Sequence, residues 1–128
     1  KEKAEELWGS GTILLVEDED MVRAVAERAL TRHGYEVITA TNGEEGLEIL
    51  KGRSDIDMLV SDVVMPMMDG PTLGRHAREI YPKMPLLFMS GYAEEQLRRS
   101  IALENVDFLP KPFSAQQLAE AVRNAMAP

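Results

Sequence analysis

The chain has 128 residues, a formal net charge of −8 and no cysteine, and 45% of its residues are hydrophobic. This length fits one domain and leaves no room for a second core. The acidic balance argues against a nucleic-acid surface, because binding to phosphate backbones depends on Lys and Arg. Without cysteine, the chain has neither a disulfide framework nor a thiolate metal site. No apolar run approaches the ~20 residues of a membrane span, and no signal-peptide pattern opens the sequence.

Residues 1–11 differ in character from the rest of the chain. They are mostly charged, do not start with Met and end in Trp8-Gly9-Ser10-Gly11. We expect residues 1–11 to be a linker or tail cut from a longer protein, and residues 12–128 to be the folded domain. A cytoplasmic location is expected for this domain, in a parent chain that could itself be anchored in a membrane.

From Thr12 onward, short apolar runs alternate with amphipathic stretches. The predicted strands are 12–16, 35–40, 57–62, 85–90 and 106–110. The predicted helices are 19–33, 43–51, 70–80, 93–104 and 114–126. Strict alternation of strand and helix predicts a parallel sheet covered on both faces through right-handed crossovers. The predicted fold is therefore α/β, a doubly wound five-stranded parallel sheet with helices on both faces.

Local signals support the predicted helices. The first helix has an apolar face with a period of 3.6 residues, formed by Val22, Val25, Ala26, Ala29 and Leu30. Gly34 is typical of a helix end. Asn42, followed three residues later by Glu45, resembles a capping box. Asp69 and Pro71 are typical of the first residues of a helix.

Polar side chains stand at the carboxyl ends of four predicted strands. They are Glu17-Asp18, Asp62, Ser90 and Lys111-Pro112. In an open parallel sheet these ends line one edge, where ligands bind at the point of strand-order reversal. The edge would hold three carboxylates, a hydroxyl and an ammonium. This combination suits a divalent cation and a phosphoryl group.

The three carboxylates favour a magnesium site. Two unit charges 4 Å apart repel by about 1 kcal/mol in water and by about 4 kcal/mol at an effective dielectric constant of 20. Oxygen ligands without Cys or His suit Mg²⁺, which takes one or two carboxylates and keeps several waters. A solvated acidic run that caps the next helix remains an alternative for Glu17 to Asp20.

Asp62 is the candidate nucleophile, since a carboxylate beside Mg²⁺ can form an acyl phosphate. An Asp that simply begins a turn is the alternative. Lys111 offers a point charge for phosphate, and a cis Lys111–Pro112 bond would turn its side chain inward. Ser90 offers a hydroxyl that can donate to a phosphoryl oxygen.

Four segments of the chain, LLVEDE, VSDVVMPMMDG, FMSGYAEE and FLPKPF, resemble the receiver domains of two-component response regulators and hybrid histidine kinases. The resemblance covers about residues 12–126. It implies the strand order 2-1-3-4-5 and a phosphorelay function. It also implies that Asp62 takes a phosphoryl group from a phosphohistidine, after which the surface of the domain changes conformation.

The resemblance implies a role for each remaining site residue. Asp18, Asp62 and the backbone carbonyl of Val64 would ligate Mg²⁺, and Glu17 would act through a water. Lys111 would pair with the phosphoryl group, and Ser90 would move to bond it. Phe108 matches the aromatic position that switches rotamer.

The chain departs from the commoner family pattern at a few positions. Glu17 stands where Asp is commoner, and Ser90 where Thr is commoner. Phe108 lacks the hydroxyl that a Tyr would bring to the switch. Val64 and Tyr92 occupy positions that influence attack by water, and we expect them to slow hydrolysis of the phosphoryl group.

The expected partner is a histidine kinase or a histidine phosphotransfer protein, with no contact to nucleic acid or membrane. The chain ends at Pro128, which favours the carboxyl-terminal receiver of a hybrid histidine kinase. Such a domain would catalyse its own Mg²⁺-dependent phosphorylation and dephosphorylation, without small-molecule turnover.

Three alternatives remain at the level of sequence. One is a phosphate-silent pseudo-receiver that acts as a binding module. Another is an aspartyl-phosphate phosphatase. Such enzymes have a D-x-D signature, and Val64 stands here at the position of its second Asp. The third is a flavodoxin-like carrier, which needs a Ser/Thr/Gly-rich phosphate loop where Glu17 to Asp20 stand.

Overall fold

Five strands form one parallel sheet in the computed structural model, which describes residues 9–91, 101 and 103–127. The strands are β1 (Thr12–Val16), β2 (Glu36–Ala40), β3 (Met58–Asp62), β4 (Leu86–Ser90) and β5 (Val106–Pro110). All four neighbouring pairs are parallel, and the order is β2-β1-β3-β4-β5. The predicted doubly wound α/β fold and its strand order are confirmed.

The helices lie within one residue of the predicted bounds. They are α1 (Asp20–Arg32), α2 (Gly43–Gly52), α3 (Gly70–Ile80) and α4 (Ala115–Met126). The predicted helix 93–104 falls mostly outside the described residues. Its predicted end is wrong, because Leu103 and Glu104 are described and are not helical.

The core lies on both faces of the sheet. One cluster joins alternate residues of β1, such as Leu14, to side chains of α2 and α3. A second joins the intervening residues, such as Ile13, to side chains of α1 and α4. Every residue of β1, β3 and β4 is buried. Strands covered on both faces read as continuous apolar runs, and this explains why these strands were predictable.

Details of the helix prediction need correction. Val25, predicted to lie on the buried face of α1, is 57% exposed. Asn42 does accept a hydrogen bond from Glu45 N, but the Glu45 carboxylate accepts from Thr41 N, one residue earlier than in a capping box. A complete capping box exists instead at Ser114, which the sequence analysis missed.

Candidate functional site

Backbone hydrogen bonds continue the parallel ladder one residue beyond three of the strands. Glu17 N donates to Ala40 O at 3.1 Å, Val63 N to Met89 O at 3.1 Å and Lys111 N to Ser90 O at 2.8 Å. Because the strands end in register, the polar residues that follow them reach the same edge of the sheet.

Three carboxylates come together at this edge, as predicted. Glu17, Asp18 and Asp62 each offer one oxygen, and these oxygens lie within 4.8 Å of one another. Glu17 is fully buried and Asp62 is 7% exposed, whereas Asp18 is exposed. The donor set consists of oxygens without His or Cys, which fits a hard cation such as Mg²⁺.

The ammonium of Lys111 bridges two of these carboxylates. Its Nζ lies 2.9 Å from Oε1 of Glu17 and 2.9 Å from Oδ2 of Asp62. The second oxygen of Glu17, Oε2, accepts a hydrogen bond from Glu19 N at 3.0 Å. The Lys111–Pro112 peptide bond is cis, as expected.

Burial and neighbouring charges shift the pKa values of two groups in the site. Burial raises the pKa of Glu17 above its ordinary 4.5, against the opposing hydrogen bonds from Glu19 N and Lys111. Burial acts to lower the pKa of Lys111, but the hydrogen bonds to Glu17 and Asp62, with their charges, outweigh it and raise that pKa above 10.5. Lys111 is therefore held as a cation, while an ionised Glu17 carries an energetic cost.

The remaining predicted site residues differ in their exposure to solvent. Ser90 ends β4 and is 3% exposed, so its hydroxyl belongs to the buried part of the edge. Phe108 is half-buried in β5, with its ring centroid 6.1 Å from that of Phe88. Val64 is 59% exposed beyond Asp62. Tyr92 lies outside the described residues.

Gly70 is a residue of the site that the sequence analysis treated only as a helix start. A Cβ at this position would lie 2.3 Å from the carbonyl oxygen of Asp62. Gly70 N also donates to Val63 O at 2.8 Å. The loop between β3 and α3 thus folds back against the backbone of Asp62, and a Cβ at Gly70 would force the backbone to shift. In the sequence, the only indication of this close approach is the glycine between Asp69 and Pro71.

An apolar groove of about 470 Å³ opens beside Lys111, between α1 and the residues that follow β5. Its lining residues include Met21, Val25, Pro112 and Phe113. Met21 is 82% exposed, so this wall of the groove faces solvent. Val25 is exposed because its side chain lines this open groove instead of packing against the sheet.

Comparison with known proteins identifies the family. Residues 13–123 match the response regulator receiver domain. The chain belongs to this family. It is 50% identical over 127 residues to the sensor kinase CckA of Brucella abortus, an alignment that covers 98% of this chain and 13% of that kinase. This receiver domain therefore spans only a small part of the length of that relative.

Solved structures agree with this assignment. A crystal structure of the receiver domain of hybrid histidine kinase CckA is 46% identical, with a TM-score of 0.77, and the match covers 91% of this chain and all of the other. A chain of the CheX–CheY–BeF3–Mg²⁺ complex of Borrelia burgdorferi is 25% identical, with a TM-score of 0.84 and coverage of 92% and 90%.

The family assignment makes the chain a receiver domain of two-component signalling, as the sequence resemblance implied. It does not favour the phosphate-silent or phosphatase alternatives. Among the described residues, no helix has the length and apolar character needed to cross a membrane.

Proposed function

We propose that Asp62 is the phosphoacceptor of this receiver domain. The observation that carries the proposal is the position of its carboxylate, which is nearly buried among two other acids and contacts the Lys111 ammonium. A carboxylate oxygen of Asp62 attacks phosphorus, the bond from phosphorus to the donor's imidazole nitrogen breaks, and that nitrogen leaves with the electron pair. The product is an acyl phosphate on Asp62.

The acidic cluster is proposed to hold Mg²⁺. Asp18, Asp62 and the backbone carbonyl of Val64 would be direct ligands, and Glu17 would act through a water. When bound, the ion would withdraw charge from the phosphoryl group under attack. The all-oxygen donor set supports this proposal, as does the similarity to the CheX–CheY–BeF3–Mg²⁺ complex of Borrelia burgdorferi.

Lys111 and Ser90 are proposed to recognise the phosphoryl group. The Lys111 ammonium already contacts Asp62 and can neutralise charge on a group attached there. The Ser90 hydroxyl can donate to a phosphoryl oxygen, and its movement would be coupled to the rotamer of Phe108. Only contacts that differ between the phosphorylated and unphosphorylated states can shift the conformational equilibrium.

The proposed donor of the phosphoryl group is a histidine kinase or a histidine phosphotransfer protein. The proposed parent protein is a hybrid histidine kinase, of which this receiver domain would be a cytoplasmic part. The identity to the CckA sensor kinase supports this context. No contact with nucleic acid or membrane is proposed for this domain.

Transfer from a phosphohistidine donor tests the function. The purified chain and its Asp62→Asn variant are incubated with Mg²⁺ and a phosphorylated histidine phosphotransfer protein, and the label on each protein is measured. Wild type should take up the label, and the variant should not. Equal labelling of the variant would overturn the proposal.

A further inference from the structure

We propose that Glu17 is a positioning residue for Lys111, which it holds beside Asp62 while the phosphoryl group is transferred. This inference rests on the proposed function of Asp62. It adds to the water-mediated role of Glu17 at the cation, because it assigns the side chain a second task directed at the ammonium.

Glu17 is anchored at each of its four polar atoms. Its backbone N donates to Ala40 O at 3.1 Å, and its backbone O accepts from Arg23 Nη1 at 2.9 Å. Its Oε2 accepts from Glu19 N at 3.0 Å. Its Oε1 accepts from Lys111 Nζ at 2.9 Å. The carboxylate is fully buried, so it cannot turn away from Lys111 without leaving a hydrogen bond unmade.

Lys111 needs such an anchor more than a shorter side chain would. Its ammonium sits on a flexible four-carbon stem, and holding that stem in one conformation costs rotamer entropy. Asp62 alone is a poor permanent anchor, because its carboxylate is the group that changes during phosphorylation. Glu17 is not the group that is modified, so its hydrogen bond to Lys111 is available as an anchor when the partner at Asp62 changes.

The length of the Glu17 side chain matters for this role. Aspartate at position 17 would keep the negative charge near the cation site, but its arm is one methylene shorter. The shorter carboxylate could not bond both Glu19 N and Lys111 from the same backbone position. Glu17→Asp therefore separates the role at the cation from the role in holding Lys111. It preserves the negative charge near the cation site, but its carboxylate cannot extend as far towards Lys111.

The test uses the 128-residue chain with Glu17→Asp, Lys111→Met and the double variant. Phosphorylation by acetyl phosphate is followed at saturating Mg²⁺, and Mg²⁺ affinity is measured by titration calorimetry. Glu17→Asp should slow phosphorylation about tenfold, since a misplacement of about 1 Å can cost a hundredfold. Its Mg²⁺ affinity should stay within about threefold of wild type. In the Lys111→Met background the same change should have no further effect.

The NMR signal of the Lys111 ammonium supplies a readout that does not depend on activity. In the metal-free wild type it should be protected from exchange with solvent, and in Glu17→Asp this protection should fall. Glu44→Asp, on the exposed first turn of α2, is the matched control and should change neither the rate nor the signal. If Glu17→Asp does not fold, Glu17→Gln takes its place: it keeps the length of the side chain but removes the charge, and it should show less protection of the Lys111 ammonium than wild type.

Two results would overturn the inference. One is a wild-type rate for Glu17→Asp at saturating Mg²⁺. The other is an equal loss of rate with and without Lys111, which would mean that Glu17 serves the cation only. Labelling of Asp62→Asn would instead refute the proposed function, so the two failures are distinguishable.

Discussion

The ammonium of Lys111 lies 2.9 Å from Oδ2 of Asp62, although 49 positions separate the two residues in the chain. Parallel strands that end in register bring them to one edge of the sheet, where each is largely shielded from water. A buried carboxylate without a partner is costly, so this contact both stabilises the domain and places a cation at the proposed phosphoacceptor.

Lys111→Ala should destabilise the metal-free domain by about 1–3 kcal/mol, because it leaves the carboxylates of Glu17 and Asp62 without their shared cation. Urea unfolding followed by circular dichroism measures the change. Lys51→Ala, an exposed lysine in the last turn of α2, serves as the control and should cost much less. Equal losses for the two variants would show that the bridging ammonium adds little to stability.

The raised pKa of Glu17 predicts how stability depends on pH. A carboxyl with a raised folded pKa adds stability below its unfolded value, and this is lost as pH rises through the folded value. The free energy of unfolding of the metal-free domain should therefore increase, relative to Glu17→Gln, as pH falls from 7 towards 4.5, the ordinary value. Unfolding curves of both proteins across this range measure the difference. A difference that does not vary with pH would contradict the shift.

Val64→Asn should shorten the lifetime of the phosphorylated domain. Val64 is 59% exposed and follows Asp62 by two residues, so an amide there can hydrogen-bond an attacking water. One net hydrogen bond of about 1 kcal/mol in the transition state corresponds to roughly a fivefold faster decay. Loss of label after removal of the donor measures the rate. Val25→Asn, at a position on α1 with a similar exposure of 57%, is the control and should not change the decay. An unchanged decay for Val64→Asn would show that Val64 does not influence hydrolysis of the phosphoryl group.

Substitution by alanine should destabilise the domain at Gly70 but not at Gly52. A Cβ at Gly70 would lie 2.3 Å from Asp62 O, so Gly70→Ala must move the backbone of the proposed phosphoacceptor. We expect it to cost about 1–3 kcal/mol, as overpacking does, and to slow phosphorylation. Nothing lies within 4 Å of a Cβ at Gly52, so Gly52→Ala in α2 should be neutral or stabilise by up to about 1 kcal/mol. Thermal unfolding compares them, and similar melting temperatures would show that the close approach at Gly70 is relieved at no cost.

Most of the fold was predictable because its signals are local. Strands covered on both faces are continuous apolar runs, and Gly34, with a φ of 100°, ends α1 as its residue type predicts. The gathering of Glu17, Asp62 and Lys111 was also predictable, because parallel strands share one carboxyl edge.

What sequence could not supply was three-dimensional contact. Three of the four hydrogen bonds that fix Glu17 involve Arg23, Ala40 and Lys111, whose spacing along the chain carries no pattern. The exposure of Val25 was missed because a helical period defines a face without saying what covers its edge. The tight approach of Gly70 to Asp62 likewise depends on how a loop folds back, which composition does not reveal.

The central claim is that Asp62 carries the phosphoryl group, and locating the acyl phosphate tests it most directly. The chain is phosphorylated with acetyl phosphate and Mg²⁺, reduced with borohydride to convert the acyl phosphate to an alcohol, and digested for mass spectrometry. A parallel sample with the Mg²⁺ chelated should show no conversion. The account predicts conversion at Asp62 alone, and conversion at Glu17 or Asp18 with Asp62 unchanged would contradict it.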